Sequence, residues 1–372
     1  METTHKLQML SDASQYDLAC ACGTNDKDRR KRGEDGAWLY PVSLPSGGYS
    51  IMLKTLMSNV CVNDCRYCPY RSTADVPRCT IGPDEMAKTY LEYVRSKKVF
   101  GLFLSSGVTG TPDNTMRLLN DTARILRTKY AYRGHIHLKI IPGASDAAIE
   151  DALGLANAVS LNIETPGQHH FSKLSSRKDY IKDIIGPLRL ISALTAKESR
   201  YPKVRKTTQF IVGASDENDS EIVKYTAGLY NKLRLNRVYF SAYQRGLGDQ
   251  SIPGEKHIPP NKDQTFMREH RLYQTDFLIR KYSFTEQDIY YDKTGNLSLE
   301  SDPKRVWADH HPEFFPVSLR NADKNTLLRV PGIGPETAGK IIRLRKERSI
   351  KRIDDLPLRG KRLELARKYV TG

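Results

Sequence analysis

Between Ser50 and Tyr243, short runs of apolar and β-branched residues alternate with longer stretches in which apolar positions recur every three or four residues. The first pattern is that of buried strands and the second that of amphipathic helices. Six strands are predicted: Ser50 to Leu56, Gly101 to Ser105, His135 to Ile141, Ala158 to Ile163, Thr207 to Val212 and Arg237 to Ala242. Helical period marks Pro83 to Lys98, Met116 to Lys129, Asp179 to Leu194 and Glu217 to Leu233, and Pro83-Asp84 after Gly82 makes a good helix start. Strands alternating with helices predict an α/β fold of repeated βα units around a parallel sheet. Six units suggest a partial (βα)6 barrel rather than a closed eight-stranded one. In either form, chemistry gathers at the C-terminal ends of the strands.

Outside this core, residues 1–49 read as a basic lead-in or cap, with Lys27, Arg29, Arg30, Lys31 and Arg32 ahead of Pro45-Ser46-Gly47-Gly48, by default a solvated arm. Residues 50–245 form the expected barrel. Residues 246–317 begin as a Gly- and Pro-rich loop to Lys262, return to helical period until Tyr282, and end in a linker-like stretch from Asp302 to Phe315. Residues 318–372 form a basic tail, predicted as a small all-α domain.

At 372 residues the chain is long enough for two or three domains, at about 150 residues each. With 39% hydrophobic residues it has the material for a real core, which excludes a small stapled or disordered protein. Its net charge of +16 draws it to polyanions, with nucleic acid the first partner to consider. The tail from Ser318 carries 15 Lys and Arg against 6 Asp and Glu, more than half of that excess. The N-terminus lacks the apolar stretch of a signal peptide, and no run of about 18 apolar residues offers a membrane span, so a cytoplasmic protein is expected. Six cysteines, three of them crowded between Cys61 and Cys68, suit a reducing compartment and metal or cluster ligation better than disulfides.

The most informative segment is Cys61-Val-Asn-Asp-Cys65-Arg-Tyr-Cys68, just after the first predicted strand. Three thiolates on one loop can hold three irons of a 4Fe-4S cluster and leave the fourth open to a chelating ligand. A structural zinc normally takes four protein ligands, and between Cys22 and His135 there is no histidine and only Cys79 besides the motif, which favours the cluster. The motif resembles the CxxxCxΦC of the radical S-adenosylmethionine (SAM) superfamily, with Tyr67 as the aromatic.

That resemblance implies SAM bound through its amino and carboxylate groups to the open iron, and its cleavage by an electron to a 5′-deoxyadenosyl radical that abstracts hydrogen from unactivated carbon. It implies an electron donor such as a flavodoxin or ferredoxin. It also assigns cofactor contacts to Tyr67, to Ser105, Ser106 and Gly107 in place of a Gly-Gly-Glu element whose acid is missing here, and to Asn162 and Glu164 at the ribose. Ile211 and Gly213, in Phe210-Ile211-Val212-Gly213, correspond to an adenine-packing strand. Lys139 in the apolar third strand would be costly without an anionic partner and is expected near the cofactor carboxylate or the cluster. Taken alone, the glycine turn, the strand-end acid and the apolar strand are also ordinary structural features.

In the tail, Leu327-Leu-Arg-Val330-Pro-Gly332-Ile333-Gly334-Pro-Glu-Thr-Ala338 resembles a helix-hairpin-helix. Its glycines permit a tight turn. Amides of Gly332, Ile333 and Gly334 with the following helix start are expected to cradle a phosphate, extended by Lys340, Arg343, Arg345 and Lys346. A degenerate second hairpin is expected at Leu356-Pro-Leu-Arg-Gly360. Such contacts position a protein on duplex DNA without reading bases.

Taken with Lys6-Leu7 through Tyr16-Asp17, Leu102 to Gly107, His135 to Gly143, Arg268-Glu-His-Arg271-Leu-Tyr273-Gln274 and Asp302-Pro-Lys304, the two halves resemble, essentially end to end, a family of radical SAM proteins assigned to DNA modification or repair. Arg205 to Gln209 and Cys79 depart from that family's pattern. The resemblance implies DNA metabolism and association with a protein related to uracil-DNA glycosylase, without defining the reaction. Tyr243 and Gln244, at the end of the sixth strand, are candidate substrate contacts, as are Arg268, Arg271 and Tyr273 on a helix face. The leading expectation is a radical enzyme that modifies or repairs a nucleotide in DNA. The alternatives are a radical enzyme acting on RNA or tRNA, and a non-catalytic iron-sulfur DNA-binding factor. A second cluster on Cys20, Cys22 and Cys79 is disfavoured by their spacing.

Overall fold

The computed structural model describes residues 2–14, 38–43, 49–256, 262–347, 350, 353–356 and 359–371. Cys20, Cys22, the basic run Lys27 to Arg32 and Pro45 to Gly48 lie outside these residues, as does part of the degenerate second hairpin. The chain forms two compact units, Met1–Glu217 with Gly228–Thr265, and Asn218–Ala227 with Phe266–Gly372.

The first unit is built on a seven-stranded sheet in sequential order: β1 (Leu39–Ser43), β2 (Tyr49–Leu56), β3 (Gly101–Ser105), β4 (His135–Lys139), β5 (Ala158–Ser160), β6 (Arg205–Val212) and β7 (Arg237–Ala242). From β2 to β7 every pairing is parallel, and β1 runs antiparallel to β2 at the edge. Sequential parallel strands joined through helices curl into a half-barrel, the predicted partial barrel with one added strand. Pro41 within β1 has no amide for a ladder, which an edge strand tolerates.

Helices α1 (Thr3–Ser14), α2 (Pro83–Arg95), α3 (Pro112–Thr128), α4 (Asp146–Leu155), α5 (Gln168–Leu174), α6 (Gly186–Leu194) and α7 (Asp219–Leu233) follow the strands in chain order, α1 preceding the sheet. The outward faces of the strands supply a core in which Leu53, Leu102, Leu104, Ile136, Leu138, Val159 and Phe210 are fully buried. The beginning of the lead-in is a packed helix rather than a solvated arm: Leu7 and Leu10, one turn apart on α1, are buried, and Lys6 pairs with Glu85 at 2.9 Å.

Two expected elements break where a specific contact intervenes. The helix predicted from Asp179 begins as a π turn, Tyr180–Ile185. Pro187 has no N–H to return to the Asp183 carbonyl, which accepts the Gly143 amide at 3.2 Å instead. Strand β5 stops at Ser160 because the Thr208 side chain enters the ladder, donating to the Leu161 carbonyl at 2.6 Å and accepting from the Ile163 amide at 2.9 Å.

The second unit contains α9 (Lys262–Lys281) from Phe266 onward, α10 (Pro303–His310), α11 (Lys324–Arg329), α12 (Pro335–Glu347) and α13 (Lys361–Arg367), with a two-residue parallel pair β8 (Val317–Ser318) and β9 (Val370–Thr371). The short α8 (Pro253–Lys256) belongs to the first unit. One apolar cluster joins Val317, Leu319, Leu327, Leu328, Val330, Ile333, Ala338, Ile341 and Ala366. Thus α11, α12, α13 and the small sheet share a core.

Candidate active site

A cavity of about 1200 Å³, including its open mouth, lies at the C-terminal ends of the parallel strands. The loop after β2 brings Cys61, Cys65 and Cys68 to its wall. Three devices hold that loop. Arg78 donates to four main-chain carbonyls around it: Asn59 at 2.5 Å, Tyr70 at 2.9 Å, Arg71 at 3.0 Å and Ala74 at 2.8 Å. Gly107 lies so close beneath that a Cβ there would meet the Val60 carbonyl oxygen at 2.4 Å, so only glycine fits. Asp64 accepts from Ser175, Ser176 and Arg177, tying the loop to the segment after α5.

Burial pushes the Cys65 thiol up and the Cys68 thiol up to about 12. Amides of Val108 and Tyr70 donate to Cys61 Sγ and Cys68 Sγ at 3.4 Å each, the kind of contact that tunes a cluster's potential. Among the described residues no three His, Cys, Asp or Glu side chains converge as one metal ion requires. Three thiols carried by one loop that lines the cavity can hold three irons of a cluster. The residues present fit a 4Fe-4S cluster, which three thiolates would hold while leaving one iron to a further ligand.

The structure places most of the predicted cofactor residues around the same space. Tyr67, Ser105, Ser106, Gly107 and Lys139 line the cavity, as do Asn162, Glu164 and Ile211. Tyr67 is hydrogen-bonded to Glu164, and burial, followed by that carboxylate, raises its phenol well above the ordinary value. Glu164 is 5% exposed and sits at φ 65°, a left-handed conformation uncommon outside glycine and concentrated at functional sites. The Asn162 side-chain amide donates to it at 3.4 Å. The Ser106 hydroxyl is turned onto the Gly107 carbonyl at 2.7 Å, although both serines line the cavity. Gly213 does not line the cavity; it turns the chain at φ 85° and donates its amide to Glu217 at 2.5 Å.

One residue that sequence reasoning missed is Lys178. It lines the cavity, hydrogen-bonds Cys65 and lies beside Glu164. Burial opposes its charge, but Cys65 and Glu164 outweigh burial and hold the ammonium protonated. Nothing in Ser175-Ser-Arg-Lys178 marks it as a site residue by composition. The available signal was Asp64 inside the cysteine motif, an acid in need of donors.

Of the predicted substrate contacts, Tyr243 and Gln244 line the cavity. The Tyr243 hydroxyl donates to the buried Glu255, which also accepts from the amides of Gly246 at 2.8 Å and Gly248 at 3.2 Å. Arg268 and Arg271 have partners inside the second unit. Arg268 pairs with Asp219 at 2.7 Å, Arg271 donates to the carbonyls of Ser298 and Leu299, and Tyr273 is buried.

In the tail, Gly332 adopts φ 87°, and the amides of Gly332 and Gly334 donate to no partner among the described residues. Lys340, Arg343 and Lys346 are exposed. Ile333 and Arg345 are placed differently from the expectation. Ile333 is a core residue whose amide donates to Val330 at 3.1 Å. Arg345 reaches back to the carbonyls of Leu319 and Ala322 at 2.6 Å each, which ties α12 to the segment before α11.

Residues 55–226 match the model of the Radical SAM superfamily. This part of the chain is a radical SAM domain, and the protein is an enzyme of that class, whose members use a 4Fe-4S cluster and S-adenosylmethionine. No curated protein matches the chain. Among solved structures, methylornithine synthase (PylB) is 13% identical over 74% of this chain and 71% of its own, with a TM-score of 0.47. The FeFe-hydrogenase maturase HydG from Carboxydothermus hydrogenoformans is 15% identical over 82% of this chain and 78% of its own, at 0.45. The cobalamin-dependent radical enzyme OxsB is 11% identical over 88% of this chain and 63% of its own, at 0.41. No helix among the described residues is long and apolar enough to cross a membrane.

Proposed function

We propose that this enzyme modifies or repairs a nucleotide in DNA and is held to the duplex by its C-terminal helices acting as a helix-hairpin-helix. The cofactors, when bound, supply a hydrogen-abstracting 5′-deoxyadenosyl radical. Cys61, Cys65 and Cys68 hold the cluster. Lys178 and Lys139 offer positive charge to the cofactor carboxylate, Glu164 and Asn162 offer acceptors and a donor to ribose hydroxyls, and Ile211 packs against an apolar ring face. Tyr243 and Gln244 face the remaining space, where the substrate sits shielded from bulk water.

The observation that carries the DNA reading is the Gly332 to Gly334 turn. Two of its amides are unengaged, it opens directly into α12, and α12 presents exposed Lys340, Arg343 and Lys346 beyond it. Unengaged amides at a helix start with cations one and two turns on make a phosphate cradle. A duplex binding by such contacts loses affinity with salt at a log–log slope of about −0.9 per phosphate neutralised. The test is duplex binding by the full chain across a salt series, compared with Lys340→Glu/Arg343→Glu/Lys346→Glu. The reading requires weaker binding and a slope shallower by about two to three in the variant. An unchanged slope removes the anchor, and tighter binding of structured RNA than of duplex DNA moves the substrate to RNA.

A further inference from the structure

Ser105, Gln209 and Ser241 are each more than nine-tenths buried, at 7%, 6% and 9% exposure, and all three line the cavity. Their side chains have no hydrogen-bond partner among the described residues. Their polar atoms are open to the cavity, so a ligand that seals it either pairs them or leaves them unpaired at a cost of about 1–3 kcal/mol each. Two other polar side chains on the strands of this half-barrel are engaged. His137 is hydrogen-bonded to Ser160 at 2.9 Å, and Lys54 lies 4.9 Å over the Phe103 ring. Ser105, Gln209 and Ser241 share the cavity wall, where a ligand supplies the missing partners.

Ser105 ends β3 beside the cysteine loop, whereas Gln209 and Ser241 lie on the neighbouring strands β6 and β7. Ile211 pairs in register with Ser241, and alternation along β6 puts Gln209 on the same inward face as Ile211. Tyr243, two residues beyond Ser241, shares that face. Because its hydroxyl is committed to Glu255, what it offers the cavity is its ring. An amide and a hydroxyl supply both donors and acceptors without charge. That set suits a neutral edge with adjacent donor and acceptor atoms, not a phosphate, which calls for arginine or lysine.

We infer that Gln209 and Ser241, with the Tyr243 ring, form the recognition wall for the substrate's heterocyclic base. The inference rests on the nucleotide reading above and assigns specificity to the base edge. Enzymes acting on one base of a nucleic acid commonly read it in this way, by hydrogen bonds to the pairing edge and stacking on an aromatic ring.

The test uses the full chain with its cluster reconstituted anaerobically and saturated with S-adenosylmethionine. Binding of the four free 2′-deoxynucleosides is followed by saturation-transfer NMR, and that of S-adenosylmethionine by equilibrium dialysis. At least one nucleoside is expected to bind the native protein. Gln209→Leu, of similar bulk, should weaken it about tenfold, as expected for a lost buried hydrogen bond, with cofactor affinity within about twofold of native. Gln209→Glu, which exchanges donors for acceptors, should change which nucleoside is preferred, a result that misfolding does not produce. Cofactor affinity falling with nucleoside binding intact would assign Gln209 to the cofactor and overturn the inference. If the native protein binds a nucleoside and Gln209→Leu binds it equally well, the inference fails alone. If the native protein binds none of the four, the nucleotide reading fails with it.

Discussion

Ser176 donates both its backbone amide, at 2.9 Å, and its hydroxyl, at 2.5 Å, to the carboxylate of Asp64. The acid lies one residue before Cys65 and the serine two residues before Lys178, so a single carboxylate fixes the cysteine loop to the arm that carries the cavity lysine. Burial pushes the Asp64 carboxyl up, but the hydrogen bonds from Ser176, Ser175 and Arg177 outweigh it and hold the group well below the ordinary carboxylate range.

Asp64→Ala releases that arm. Hydrogen bonds to a charged group contribute about 1.5–3 kcal/mol each, so the variant should bind S-adenosylmethionine at least about tenfold more weakly while still accepting iron. Lys178→Met should reproduce the affinity loss with the loop clamp intact. Equilibrium dialysis beside an iron count checks both. Native affinity in either variant would show that the arm does not serve the cofactor.

Arg78 sits outside the cavity and touches no ligand position, yet one guanidinium satisfies four carbonyls of the loop. Arg78→Ala leaves those acceptors to water and the loop without its shape. Iron retained after anaerobic reconstitution and desalting should fall below half of native. Arg78→Lys, without the planar fork, should recover only part of it.

Lys304 gives a pH dependence of known sign. Its ammonium donates to the Ile333 carbonyl at 2.6 Å and lies 4.7 Å from the Tyr282 ring, and burial pushes its pKa down to about 7. Above that pH the folded chain holds this lysine neutral while the unfolded chain keeps it protonated up to about 10. The unfolded state then binds the extra proton, so this group's contribution to stability rises with pH between about 7 and 10 and is unfavourable below that window. Relative to Lys304→Met, native stability should improve by on the order of 1 kcal/mol per pH unit across the window in urea melts. A difference that does not vary with pH contradicts the burial of this charge.

Arg345 separates folding from binding within the basic tail. Because it donates to Leu319 and Ala322 carbonyls, Arg345→Ala should lower the stability of the second unit by about 1–3 kcal/mol, read by urea melts, and leave the salt slope of duplex binding unchanged. The exposed Lys340, Arg343 and Lys346 should behave in the opposite way.

The parallel strands were legible because buried strands between amphipathic helices carry their period in the chain, and β3 and β7 fall where the pattern puts them. The three cysteines and Tyr67 were legible because ligand spacing is local. What escaped depends on contacts distant in sequence. Strand β1 is short, contains Pro41 and shows its nature only by pairing with β2. The early end of β5 is decided by Thr208, more than forty residues later. Lys178 and Gln209 read as a polar loop residue and a strand residue until the barrel closes on one cavity. Arg345 reads as one more cation in a basic tail, although its partners turn it inward.

The central claim is radical chemistry directed at DNA, and one anaerobic measurement addresses it. The reconstituted protein is reduced with dithionite, given S-adenosylmethionine, and assayed for 5′-deoxyadenosine with duplex DNA, with RNA and with neither, beside Cys65→Ala. The account predicts release that depends on Cys65 and is stimulated by duplex DNA. A protein loaded with a 4Fe-4S cluster that releases no 5′-deoxyadenosine under any of these conditions, or responds to RNA alone, would contradict it.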